Sequence, residues 1–104
     1  MRYQIGDFSR ICRLSIKTLR YYHEFGILLP SDVDHDSGYR YYDETALEKA
    51  RIISDLRAMD FSLHEIKEIL TNYTDDSELT EFLAKKAGEI DQKIARYAEI
   101  QMII

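Results

Sequence analysis

Apolar positions along this chain change their spacing several times, and each change predicts a new element. Tyr3-Gln-Ile5 alternates as a very short strand. Phe8, Ile11 and Cys12 then follow helical steps, predicting a first helix over about Gly6 to Arg13 that buries this stripe. Leu14 marks a tight turn. Ser15 is placed to accept the amide of Thr18 and open a second helix, with Ile16 and Leu19 expected in the core. Gly26 closes that helix in the left-handed position, and Pro30 forbids its continuation. Two short helices joined by about three or four residues form a helix-turn-helix, whose second helix is the reader.

Asp32 to Tyr42 reads as a hairpin whose turn is His35-Asp-Ser-Gly38 and whose second strand is Tyr39-Arg-Tyr-Tyr42. A hairpin after a helix-turn-helix is a wing. Asp43 caps a third helix over about Glu44 to Met59, with Leu47, Ala50, Ile53, Leu56 and Arg57 on its period. Tyr42 and Leu47 have the spacing of a hydrophobic staple. Ser62-Leu-His-Glu65 is a capping box, stapled by Phe61 and Ile66, and opens a fourth helix with a stripe of Leu63, Ile66, Ile69 and Leu70. Asn72 to Asp76 is a polar break, with Asp75 and Asp76 suited to cap a fifth helix.

From about Ser77 onward, Leu83, Ala87, Ile90, Ile94, Tyr97, Gln101 and Ile104 alternate steps of four and three. This is a coiled-coil seam of about three heptads. A second copy of the chain is the favoured cover, giving a homodimer; the alternative is a helix folded back on its own domain. The expected fold is mainly α: a winged helix-turn-helix over residues 1–72 with a small β-hairpin wing, then a dimerisation coiled-coil helix over 77–104. The apolar ending Ile100-Gln-Met-Ile-Ile104 exceeds what the seam needs, so the chain is expected to be a fragment cut before an effector-binding domain; the alternative is a short natural regulator without one.

Charge changes the picture only through its distribution. The net charge of the 104 residues is −5, unpromising for a nucleic-acid partner. Residues 1–42 nevertheless carry a net +1 and residues 43–104 a net −6. Arg10, Arg13, Lys17 and Arg20 lie between Phe8 and Tyr22 with no acidic residue among them. A basic face on an acidic body still places cations where phosphates would lie. No apolar run reaches membrane-span length, the first residues lack a signal-peptide core, and Cys12 is the single cysteine, so a cytoplasmic location and no membrane partner are expected.

The candidate chemistry is arginine beside tyrosine, twice. Lys17, Arg20 and Tyr21 fall on one side of the second helix. Arg20 would hold phosphate or base edges, Lys17 a phosphate, and Tyr21 a sugar or base. The bland reading of this cluster is a solvated basic face. Ser15, Thr18 and Tyr22 complete the reader set, Tyr22 serving partly as core. In the wing, alternation sends Tyr39 and Tyr41 one way and Arg40 and Tyr42 the other. Arg40 is expected to meet the DNA backbone, with Tyr39 or Tyr41 packing on the duplex or bracing the wing. Ser62 and Leu63 open a helix N-terminus that suits a phosphate. Cys12, expected as a small core residue, and His23, His35 and His64 have no metal-ligand spacing, and no phosphate loop or nucleophile elbow is present. No metal, cofactor or catalytic residue is therefore expected, and an enzyme is not.

Taken in order, Ile5-Gly-Asp-Phe8, Leu14-Ser-Ile-Lys-Thr-Leu-Arg-Tyr-Tyr22, Gly26-Ile-Leu28, Gly38-Tyr-Arg-Tyr-Tyr-Asp43 and Phe61-Ser-Leu-His-Glu-Ile66 resemble the MerR family of bacterial transcription regulators. The wing segment Asp34 to Tyr42 looks most like the multidrug-responsive branch. The resemblance implies a homodimer joined by antiparallel C-terminal helices, bound to an inverted repeat in double-stranded promoter DNA. It further implies distortion of that DNA so that RNA polymerase engages it, under an unidentified effector held by a domain absent from this chain. Two positions depart from the family pattern: Arg13 and Asp60 stand where it usually or often has glycine. The competing functional reading is an acidic coiled-coil interaction module that recruits proteins and binds DNA weakly.

Overall fold

Two residues of strand, Tyr3–Gln4 (β1), run straight into the helix Ile5–Cys12 (α1) in the computed structural model, which describes residues 1–72 and 75–104. The chain continues through Ile16–Phe25 (α2), the strands Asp32–Val33 (β2) and Arg40–Tyr42 (β3), then Glu44–Ala58 (α3), Leu63–Asn72 (α4) and Asp76–Ile103 (α5). It divides into two compact units, Met1–Lys67 and Glu68–Ile104. The first is the winged helix-turn-helix; the second contains the long helix.

Side-chain caps set most helix starts. Ser15 Oγ accepts the Thr18 amide at 3.0 Å and Asp43 accepts that of Ala46 at 2.9 Å. Ser62 and Glu65 exchange both bonds of the capping box, at 2.9 and 3.1 Å. Asp75 accepts the amide of Glu78 at 3.0 Å at the head of α5. Gly26 ends α2 at φ 89°, a conformation that favours glycine because it has no Cβ. Of the polar break expected over Asn72 to Asp76, residues 73 and 74 lie outside the described residues.

The three strands form one antiparallel sheet in the order β1-β3-β2, with Tyr3 opposite Tyr42 and Val33 opposite Arg40. Hairpin and leading strand are both legible in the sequence, but their pairing across some forty residues is not. β3 is central, and it is fixed to α1 by one contact. The rings of Phe8 and Tyr42 stack with centroids 4.4 Å apart and 13° between planes, and neither residue is exposed. The other buried residues of this unit include Leu19 and Tyr22 of α2, Ile27 and Leu28 beyond it, Ala46, Ala50, Ile53 and Leu56 of α3, then Phe61 and Ile66.

Three expected core positions are displaced. Ile11 is 47% and Ile16 39% exposed, while Cys12 is only half-buried. Phe8 alone fills the inner side of the two-turn α1. Ile16 is the first residue of α2, so its side chain projects past the helix start instead of over the packed turn. Leu47 is half-buried, and Ala46 takes the inward position beside the cap.

The Tyr42 hydroxyl is buried with no hydrogen-bond partner among the described residues, and burial pushes its phenol pKa up. A buried orphan hydroxyl opposes folding, whereas the ring supports it. Tyr42→Phe should therefore leave Tm unchanged or raise it, while Phe8→Ala, which removes the other ring, should cost about 3–5 kcal/mol. A Tyr42→Phe variant that melts well below the wild type in calorimetry would show that the hydroxyl has a partner.

Candidate nucleic-acid interface

The turn between α1 and α2 is set by one strained residue. Arg13 sits at φ 60°, ψ 32°, the left-handed conformation, and the Ser9 hydroxyl donates to the Leu14 carbonyl at 2.6 Å across the turn. Asp60 takes φ 68° before α4. These are the two positions at which the sequence departs from the glycine of the family it resembles, and the backbone there does have the shape glycine favours. An arginine side chain in that conformation costs about 1–2 kcal/mol, an aspartate less.

Beyond the turn, α2 separates its faces cleanly. Leu19 is fully buried and Tyr22 only 7% exposed, so both belong to the core. Tyr22 therefore leaves the candidate reading face: three residues after Leu19, it falls on the inner stripe. Lys17 and Arg20 are exposed, and Tyr21 is 52% exposed. Ser15 and Thr18 are tied to each other, Ser15 Oγ donating to Thr18 Oγ1 at 2.9 Å. Lys17, Thr18, Arg20, Tyr21 and Glu24 border a broad open concavity of about 640 Å³. Glu24 was missed from the sequence, although it follows Lys17, Arg20 and Tyr21 at helical spacing on the same side.

Tyr21 is braced from behind. Its ring meets Phe25 edge-on at 6.2 Å, and Phe25 meets His64 at 5.0 Å. Lys67 lies over the Phe25 ring at 5.2 Å and donates to the Phe25 carbonyl at 2.9 Å, capping the end of α2. The start of α4 thus holds the last turn of the reader helix.

In the wing, the Asp34 carboxylate accepts the amides of Asp36 and Ser37 at 2.8 and 3.0 Å, and these bonds hold its pKa below the usual range. Gly38 completes the turn at φ 75°. Strand alternation then distributes the aromatic run. Tyr42 turns inward to Phe8 and Arg40 turns with it, its Nε donating to His23 Nδ1 at 3.1 Å. Tyr41 lies on the other side, where the Arg2 guanidinium stands 4.3 Å over its ring and pairs with Asp32 at 2.9 Å. Tyr39 precedes the strand and is 59% exposed. Arg20, Gly38, Tyr39 and Arg40 line a smaller recess of about 160 Å³ with the first residues of α1. Arg20 borders both hollows.

At the head of α4, Ser62 is exposed and Leu63 half-buried, but the Ser62 amide and hydroxyl are occupied by Glu65. On α5, Leu83, Ala87, Ile94, Tyr97, Gln101 and Ile104 are exposed, Ile94 by 62% and Tyr97 by 59%, and Ile90 is half-buried. Among the described residues no three His, Cys, Asp or Glu side chains group as a metal site, and no helix is long and apolar enough to cross a membrane.

Two short helices, the second with an exposed basic and aromatic face, beside a three-stranded sheet define a winged helix-turn-helix protein. The chain matches the family model described as MerR HTH family regulatory protein over residues 3–73, and that described as MerR, DNA binding over 47–103. It belongs to the MerR family of transcription regulators. The Multidrug-efflux transporter 2 regulator of Bacillus subtilis is 34% identical over 99 residues, 95% of this chain and 36% of that protein. The chain thus spans about a third of the length of such relatives. The structure described as an EcmrR–DNA complex in EcmrR-RPo superposes with a TM-score of 0.85 at 34% identity, covering 95% of this chain and 35% of that one. MtaN, the N-terminus of the Bacillus subtilis multidrug transporter activator, gives 0.69 at 32% identity, with 95% of this chain and 97% of that one covered.

Replacing Arg13 with glycine removes the left-handed strain but adds unfolded-state entropy. The two effects leave Arg13→Gly about as stable as the wild type or up to about 1 kcal/mol more so. A loss of more than about 1 kcal/mol in denaturant titration would show that the Arg13 side chain itself holds the turn.

Proposed function

We propose that this chain is a DNA-binding transcription regulator that grips an inverted repeat in promoter DNA as a homodimer. Residues 1–72 read the duplex, and α5 over 77–104 pairs with its copy. The carrying observation is Arg20, which borders both the α2 concavity and the wing recess and so presents one continuous cationic surface. Lys17 and Arg20 hold phosphates or base edges, Tyr21 and Tyr39 pack on sugars, and Arg40 meets the backbone beside the wing. Ser15, Thr18 and Tyr41 act from behind as supports, and the head of α4 at Ser62 and Leu63 completes the contact. EcmrR, similar to this chain over 95% of the residues present here, is complexed with DNA in its RPo assembly, which supports both the duplex and an indirect link to RNA polymerase. The nearly unbroken exposure of the Leu83 to Ile104 seam supports the dimer. Distortion of the promoter is the mode of control this reading favours.

Fluorescence anisotropy with the chain's own upstream region against a scrambled duplex tests the reading. Tight binding to the upstream duplex should fall by about 10³–10⁵-fold between 50 and 200 mM salt if 6–10 phosphates are neutralised. Equal, weak binding to both duplexes would favour a protein-recruiting module. Arg20→Ala should weaken binding about tenfold or more with little change in Tm, and unaltered binding would remove the assigned reading face. Tyr97→Asp should convert the dimer to monomer in sedimentation velocity, because it buries a charge in an apolar seam. A dimer that survives would exclude the α5 seam as its interface.

A further inference from the structure

Arg40 is the one cation of the wing strand β3, and it does not hang free. It shares the inward face of β3 with the fully buried Tyr42, and its Nε–H is given to the ring nitrogen Nδ1 of His23, seventeen residues earlier on α2. Both partners are partly buried. The bond fixes the imidazole as well as the guanidinium, because Nδ1 accepts what Nε donates. Nε is the guanidinium's inner donor. Its use leaves the two terminal nitrogens, with four N–H groups, for the recess that Arg40 lines with Arg20 and Tyr39. An unpinned arginine would have to give up its rotamer freedom on binding.

We propose that His23 is a positioning residue. It holds Arg40 in one rotamer so that the wing arginine and Arg20 meet a single phosphate of the duplex together, and it ties the wing to the reader helix through that bond. The inference rests on the DNA-binding reading above and adds to it a residue that touches no DNA. His23 is placed to do this because it follows Leu19 by four and Tyr22 by one, at the margin between the buried and reading sides of α2.

The test is a double-mutant cycle with spectroscopic control, on the whole chain. His23→Phe keeps a ring and removes the acceptor; His23→Asn keeps an acceptor oxygen near the position of Nδ1. In the free protein, the Arg40 Nε–H cross-peak should be protected from exchange in the wild type and in His23→Asn and lost in His23→Phe. With a duplex selected by the wild-type chain from a random pool, His23→Phe should weaken binding about 3- to 10-fold, the range expected for one released side chain. His23→Asn should restore most of it. In an Arg40→Gln background, His23→Phe should have no further effect. Equal weakening in both backgrounds, or loss of the cross-peak in no variant, would overturn the proposal while leaving the DNA-binding reading intact. Failure of the wild type to select any duplex would overturn both.

Discussion

The stacked rings of Phe8 and Tyr42 are the contact on which the working geometry depends. A strand has only two faces, so burying one residue settles the direction of its neighbours. With Tyr42 seated against α1, Arg40 must face α2 and Tyr41 must face away, where Arg2 covers it. A slip of one residue would turn Tyr41 into the core and carry Arg40 to the far side of the sheet. The same contact joins the helix-turn-helix to its wing, because Phe8 belongs to α1 and Tyr42 to the central strand. Packing and placement of charge are therefore one constraint. The orphaned Tyr42 hydroxyl is a cost the stack carries within it.

Net charge is a poor guide to a surface of this kind. The excess of acid lies in residues 43–104, while the hollows beside α2 and the wing are bordered by Lys17, Arg20 and Arg40 with Glu24 as their acidic neighbour. At physiological salt the screening length is about 8 Å, so phosphate contacts are decided by cations inside the contact and not by the sum over the chain. An acidic body weakens indiscriminate attraction to nucleic acid. Specific contacts then count for a larger share of the binding.

Local rules carried far in this sequence. Ser15, Asp43, the Ser62–Glu65 box, Asp75 and Gly26 each act within a few residues, and each was legible because its chemistry is short-range. What escaped was non-local or depended on small rotations. The β1–β3 pairing, the Arg2 cover on Tyr41 and the His23–Arg40 bond join residues far apart in sequence, and no spacing announces them. Tyr22 and Tyr21 are adjacent and identical in type, yet one helical step of about 100° gives one to the core and the other to the surface. Ile16 misled because helical period says which side a residue faces and not whether anything packs there.

The two non-glycine residues in the left-handed conformation among those described, Arg13 and Asp60, show how such a surface is kept in register. Arg13 stands just before α2, and Asp60 just before α4, whose first turns hold Phe25 and through it Tyr21. Both strained positions thus set the entry of a helix that shapes the reading face. A strained backbone persists only where its surroundings over-determine it; here the Ser9–Leu14 bond, the Ser15 cap and the buried Leu19 do so around Arg13, and the buried Phe61 with the Ser62–Glu65 box around Asp60. In the proposed dimer every one of these features occurs twice, related by a twofold axis. A single copy needs only a modest grip, because the second half-site is then offered at high effective concentration. Precision in each copy matters more than strength, since two half-sites bind together only if both reader helices and both wings keep the same geometry.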